Sequence, residues 1–345
     1  MGRALLLAVV LARLALAQQI RIALAGDVML GRLVNEQLRY RPPVHPWGDT
    51  LPLFQAADVR MANLECVISD RGRPWTATPK VFHFRSDAKN IAVLQAAGMD
   101  AVSLANNHVL DYGYEALLDM FGLLEKAGVR YAGAGRNDRA ACAPALLQVK
   151  GLRIGLLAFT DNEPVWEARP DRPGTCYVPV DLRDGRARRL LEAVRRAATE
   201  TDLLIVSAHW GGNWGYEPPP EHIPFGRALV EAGADVVFGH SAHVFRGIEI
   251  YRGRPILYSA GDFVDDYAVD ELQRNDESFL FVVEAGAGRV RALRLHPVEI
   301  RYLQVRRAAG ADAARIAARM RALCARFGTQ ALWNARRETL EISIP

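Results

Sequence analysis

The sequence predicts an α/β domain. Two observations carry that reading: short apolar runs alternate with segments of helical spacing, and several of those runs end on an Asp, Glu, Asn or His. The chain has 345 residues, 50% of them hydrophobic, enough for one large domain or for a domain with an appendage.

The first residues, MGRALLLAVVLARLALAQQ, join Arg3 to an apolar run and an Ala15-Leu16-Ala17 ending. That is the layout of a secretory signal peptide cleaved after Ala17, so residues 1–17 are set apart from a domain at 18–345. An exported location, periplasmic or extracellular, is expected; Arg13 interrupts the run and keeps a cytoplasmic chain as the alternative. No later stretch offers the ~20 uncharged apolar residues of a membrane span.

Strands are expected at Ile20–Ala25, Val59–Leu64, Ala101–Ala105, Arg153–Phe159, Leu203–Ala208, Asp235–Phe238 and Ile256–Ser259. Helices fall between them at Lys89–Ala97, Tyr114–Ala127, Asp184–Thr199 and Glu221–Ala232, with Gly98, Gly128 and Gly233 placed where helices commonly stop. The prolines of Arg41–Pro46 and Glu217–Pro220 mark loops, and the second follows His209-Trp210-Gly211-Gly212 closely enough to shape a wall of a site. After Arg289 the sequence reads as strands Val290–Leu295 and Val298–Val305, a helix near Asp312–Phe327 and a strand Thr339–Ile344, continuing the same domain.

Net charge is +4 and the positive residues are scattered, which argues against a nucleic-acid partner. In the densest basic stretch, Arg183–Arg196, Leu and Ala recur at helical spacing, the pattern of a solvated helix face. The four cysteines, Cys66, Cys142, Cys176 and Cys324, have no C-x-x-C spacing, which speaks against zinc-ribbon and thioredoxin-type sites. A disulfide is permitted in an exported chain, with its pairing open, and Cys66 is expected to be a buried thiol.

The chemistry gathers at strand ends. The expected strands lead into Gly26-Asp27, Glu65, Asn106-Asn107-His108, His209 and Gly239-His240, with His243 three residues on. Ligands of open α/β sheets bind outside the carboxyl ends of strands. Each residue alone reads more simply as a turn former or a satisfied loop side chain. Together they form a set suited to a divalent ion such as Zn, Mn or Fe, with no sulfur donor. Gly239 is read as allowing the backbone close to such an ion.

In order along the chain stand Gly26-Asp27-Val28-Met29-Leu30-Gly31-Arg32, Asn63-Leu64-Glu65, Asn106-Asn107-His108 with Asp111 and Gly113, His209-Trp210-Gly211, Gly239-His240 to His243-Val244, and Tyr258-Ser259-Ala260-Gly261-Asp262-Phe263. This series resembles the CapA (poly-γ-glutamate capsule synthesis) family, a branch of the calcineurin-like metallophosphatase superfamily, over about residues 20–270. The resemblance implies a four-layer α/β/β/α sandwich and two divalent metal ions. It implies Asp27, Glu65, Asn107, His209, His240 and His243 as metal ligands, with Glu65 bridging. It further implies that His108 protonates a leaving group, and that Asp111 orients His108 and raises its pKa. Two positions depart from the wider superfamily: Met29 where a histidine is usual, and Glu65 where an aspartate is usual. A thioether is a poor ligand for Zn or Mn, so one subsite is expected to be weaker or empty.

The function expected is a metal-dependent hydrolase of a phosphoester or a γ-glutamyl polymer, tied to capsule synthesis or processing. Its partners would be an anionic small molecule or polymer and membrane-associated capsule machinery. Arg32 is a candidate clamp for the anion, or a surface arginine starting a helix. Trp210, Trp214 and Tyr216 line a cleft or pack a core. Two alternatives stay open: a non-catalytic polymer-handling or assembly protein with a degenerate metal site, and an exported phosphodiesterase or nucleotidase.

Overall fold

The computed structural model describes residues 19–286 and 288–345, so the leader at 1–17 lies outside the described residues. One sheet is built around β1 (Gln19–Val28), which pairs in parallel with β2 (Val59–Leu64). The strands β3 (Ala101–Ser103) and β4 (Arg130–Ala132) extend that side, also in parallel. The second sheet has six strands, with β5 (Leu152–Thr160), β6 (Leu203–His209) and β7 (Val236–His240) parallel at its centre. The chain then returns to the first sheet. There β8 (Asp262–Val264) joins the end of β1 in parallel, while β9 (Glu277–Gly286) and β10 (Arg289–Arg301) continue the far side antiparallel.

Alternation along the strands builds three apolar layers. Ile20, Ile22 and Leu24 of β1 meet Ile154, Leu156, Leu203, Ile205 and Phe238 between the sheets. On the opposite face of β1, Ala23 and Ala25 pack beneath Ala116, Leu117, Met120, Phe121 and Leu124 of the helix Gly113–Ala127. Outside the second sheet, Leu204 and Val206 meet Ala187, Leu190 and Val194 of the helix Gly185–Glu200 and Phe225 and Leu229 of the helix His222–Ala232. The architecture is therefore the expected four-layer α/β/β/α sandwich. The arginines of Gly185–Glu200 lie on the face of that helix away from the core, with Asp184 capping its start.

Two local expectations are corrected, and one strand was not announced at all. Val290–Leu295 and Val298–Val305 are not separate strands: Arg289–Arg301 runs unbroken through Pro297 and turns back as Gln304–Arg307. Lys89–Ala97 is a 3₁₀ turn at Ala88–Asn90 followed by a helix at Ile91–Ala96. The strand β9, with Phe279–Val283 buried on both faces, lacks the period-2 signal that would announce it. The last helix, Gly310–Ala325, sends Ala313, Ile316, Met320 and Leu323 into the layer between the sheets. A disulfide joins Cys142 to Cys176, and Cys66 and Cys324 are buried free thiols.

A candidate metal centre at the strand ends

The parallel strands deliver their last residues to one place. In register, β6 and β7 set His209 beside His240, and β1 and β8 set Asp27 beside Asp262. Glycine makes the second pairing close: a Cβ on Gly26 would stand 1.9 Å from the Gly261 carbonyl, and the Asp27 amide donates to that same oxygen at 3.0 Å. Asp27, His209 and His240 bring ligand atoms within 4.8 Å of one another, and so do Asp27, Glu65, His243 and Asp262. Two buried donor sets thus share one carboxylate.

Within the first set, His240 Nδ1 lies 2.8 Å from His209 Nδ1 and 3.7 Å from Asp27 Oδ1. Outer groups fix these ligands. Ser207 Oγ is 2.6 Å from His240 Nε2, and the Asn63 amide donates to Asp27 Oδ1 at 2.7 Å. Asn63 is itself held by Asn106, whose amide donates to its Oδ1 at 3.0 Å. In the second set His243 Nδ1 is 2.9 Å from Asp262 Oδ1, while His209 Nε2 stands 3.9 Å from Glu65 Oε1.

Burial strains this cluster electrostatically. It pushes the Asp27 carboxyl up to about 6, and the Glu65 and Asp262 carboxyls well above the usual range, with the Asp27 charge adding to both. It pushes the His240 imidazole down to about 3 and His209 well below its ordinary value. Both oxygens of Glu65, Oδ2 of Asp262 and Oδ1 of Asn107 are buried without a hydrogen-bond partner. Carboxyl and amide oxygens packed together, with the His209 and His240 imidazoles held neutral, are a donor set that a divalent cation satisfies.

Beside the cluster opens a cleft of about 410 Å³, lined by Arg32, Lys80, Phe82, Phe84, Asn107, His108, Trp214, His243 and Tyr267 among others. His108 shares a 2.6 Å hydrogen bond with Asp111 and stacks on Phe84 at 3.9 Å, and the Phe84 amide donates to the same Asp111 oxygen. Lys80 donates to the Asn107 carbonyl at 2.6 Å and pairs with Glu163 at 3.1 Å and Asp111 at 3.5 Å. Asp111 holds His108 Nδ1 by a hydrogen bond, yet the His108 pKa is lowered and not raised. Burial, then the Lys80 ammonium, holds His108 well below its ordinary value, while burial lifts Asp111 to about 7.

Asp27, Glu65, His209, His240 and His243 therefore converge, with Asn107 and His108 on the adjoining cleft wall. Arg32 both opens a helix and lines the cleft, its guanidinium over Phe82 and Phe84 and 3.2 Å from Asp266. Trp210 is core, stacked on Tyr258 with its N–H on the Tyr258 carbonyl, and Tyr216 packs on Phe245; Trp214 alone of the three lines the cleft. The wall after His209 comes from Asn213 and Trp214, while Pro219 packs near Gly211. Gly239 answers to a neighbouring strand, since a Cβ there would stand 2.5 Å from the Tyr258 carbonyl. Met29 turns its sulfur to the Gly31 amide at 3.0 Å.

The sequence model described as bacterial capsule synthesis protein matches residues 21–267. The chain belongs to this capsule synthesis family. A probable polyglutamine synthesis accessory protein of Mycobacterium tuberculosis (strain CDC 1551 / Oshkosh) is 34% identical to this family member, over 90% of this chain and 92% of that protein. The capsule biosynthesis protein CapA of Bacillus anthracis is 28% identical over 72% of this chain and 60% of its own length. The PGA biosynthesis protein CapA of Bacillus subtilis (strain 168) is 29% identical over 70% and 62%. The matched span of the capsule synthesis family runs from β1 to just past β8, enclosing every residue of both donor sets.

Sequence reasoning passed over Asp262, although it stands in the quoted Gly261-Asp262 motif; its likeness to Gly26-Asp27 was the available signal. Asn63 and Asn106 were equally visible inside motifs as outer supports. Lys80 and Phe84 lie in a loop with no periodicity, and only the fold brings them to His108.

Proposed function

We propose that this protein is a metal-dependent hydrolase acting on an anionic substrate, a phosphoester or a γ-glutamyl polymer, in poly-γ-glutamate or capsule synthesis or processing. The observation that carries the reading is the pair of buried donor sets sharing Asp27 at the head of a cleft. The names of the relatives supply the link to capsule polymer. Asp27, His209 and His240 would hold one divalent ion, and Asp27, Glu65, His243 and Asp262 a second, with Asn107 available to either; Mn, Zn and Fe all suit these donors. Asp262 adds a carboxylate to the second set, where Met29 offers no ligand, which favours a working site over a degenerate one. An ion bound there supplies an acidified water and polarises the bond under attack.

The chain's own residues then do four things. Asn63, Asn106 and Ser207 hold the donors in register. Arg32 and Lys80 make the cleft attractive to an anion. Phe82 and Trp214, both partly exposed, give its rim an apolar face for the uncharged part of the substrate. His108, with its Nδ1 fixed by Asp111, presents Nε2 to the cleft as the proton carrier for the leaving group. The leader and the Cys142–Cys176 disulfide both suit an exported protein, where thiols oxidise. Among the described residues no helix is long and apolar enough to cross a membrane.

Elemental analysis of purified wild type and His209→Ala, beside assays on a chromogenic phosphodiester and on poly-γ-glutamate, tests the reading. At least about one equivalent of transition metal in wild type, largely lost with His209, is expected. Wild type below about half an equivalent would move the assignment to a polymer-handling role. Phosphodiester cleavage with no action on the polymer would narrow it to an exported phosphodiesterase.

A further inference from the structure

Tyr267 enters the cleft from the loop that follows β8. Its amide donates to Asp265 Oδ1 at 2.9 Å, and its ring stands edge-on to His243 at 5.1 Å and tilted against Phe84 at 5.8 Å. Phe84 in turn stacks on His108. The ring is thus wedged between a histidine of the donor cluster and the phenylalanine that backs the proton carrier. Its hydroxyl is buried and bonds to no protein group.

A buried phenol usually finds a partner. The charges acting on this one belong to Glu65, Asp262, Asp265 and Asp27, all acceptors once ionised. Had the hydroxyl been placed to satisfy Glu65, the two would be bonded, yet both Glu65 oxygens are also free of partners. Packing alone would be served as well by phenylalanine, without a desolvated oxygen. What remains is a fixed O–H donor at the meeting point of cleft and donor cluster, where an anionic substrate oxygen would arrive.

We propose that Tyr267 is a catalytic residue whose hydroxyl donates a hydrogen bond to an anionic oxygen of the substrate's reacting group. This rests on the hydrolase reading and names a second donor for the same site, one that holds charge while His108 moves a proton. It also accounts for a polar group kept buried at a cost to stability.

The test is Tyr267→Phe in the full metal-loaded chain, with inorganic phosphate as the probe. Calorimetric phosphate affinity, metal content, Tm with and without metal, and kcat and KM on a chromogenic phosphodiester are compared with wild type. Expected are an unchanged metal content, a Tm equal to or above wild type, and a loss of about tenfold or more in phosphate affinity or in kcat. A variant that keeps both phosphate affinity and kcat overturns the proposal while leaving the hydrolase reading intact. A clear fall in Tm, metal-free protein included, with kcat retained per folded molecule, assigns the hydroxyl to folding and also overturns it. Wild type that takes up metal poorly and binds no phosphate overturns both.

Discussion

His108 and Asp111 divide labour through a single 2.6 Å hydrogen bond. Because Oδ2 of Asp111 also accepts from the Phe84 amide and its Oδ1 faces Lys80, the carboxylate cannot swing, and the imidazole inherits that fixity. Burial keeps His108 neutral in the free protein, so its Nε2 must take up a proton, from water or the attacking nucleophile, before it can give one to a leaving group. His108→Asn removes the proposed proton carrier while preserving most of the volume against Phe84. It is expected to lower kcat by about 10²–10⁴-fold with metal content unchanged, read by steady-state kinetics beside elemental analysis. A variant that turned over normally would strip His108 of its role. His209→Ala and His108→Asn should therefore separate, one losing metal and the other keeping it.

Among the elements, the C-terminal helix Gly310–Ala325 has an anchor unlike the rest of its contacts. Glu277, fully buried at the start of β9, takes ion pairs from Arg274 and Arg319 at 2.6 Å each and a third from Arg315. Glu277→Gln leaves three guanidinium groups around a neutral amide and is expected to cost about 3–5 kcal/mol in denaturant titrations, without loss of metal from the folded protein. A loss under ~1 kcal/mol would mean the arginines repartner in solvent. This same element marks the limit of what the sequence could announce. Amphipathic helices such as Gly185–Glu200, and strands bounded by turn residues such as Val59–Leu64, were legible because period and punctuation agree. β9 was not, since burial on both faces erases alternation, and Lys80 reaches His108 only through tertiary folding. Most donors were readable because each closes a strand. Asp262 also lies in a strand of the first sheet, but that strand is three residues long and gives little periodicity to notice.

For the whole molecule, acid sensitivity can be placed. His222 lies beneath Trp210 at 4.6 Å and burial, then Arg246, holds it down to about 3; burial, then Arg307, holds His296 at about 4. A histidine depressed in the folded state is protonated first in the unfolded chain. Stability is therefore unaffected above the unfolded value of about 6.5 and falls as pH drops toward the folded values, by up to about 1.4 kcal/mol per unit for each group. Carboxylates lifted by burial, such as Asp27, work in the opposite sense, so the informative quantity is a difference between variants. His222→Phe, still packed against Trp210, is expected to match wild type near pH 7 and to exceed it by about 2 kcal/mol at pH 5 in denaturant titrations. Parallel curves from pH 7 to 5 would remove His222 from the account.

The adjacent Gly-Asp steps of β1 and β8 tie the order of synthesis to the order of assembly. A growing polypeptide exposes Asp27 early, yet the aspartate that stands beside it is made only after β7. No ion can be enclosed by the full set while the ribosome is still working through the middle of the message. An ion held by this full set would be drawn from whatever surrounds the finished chain.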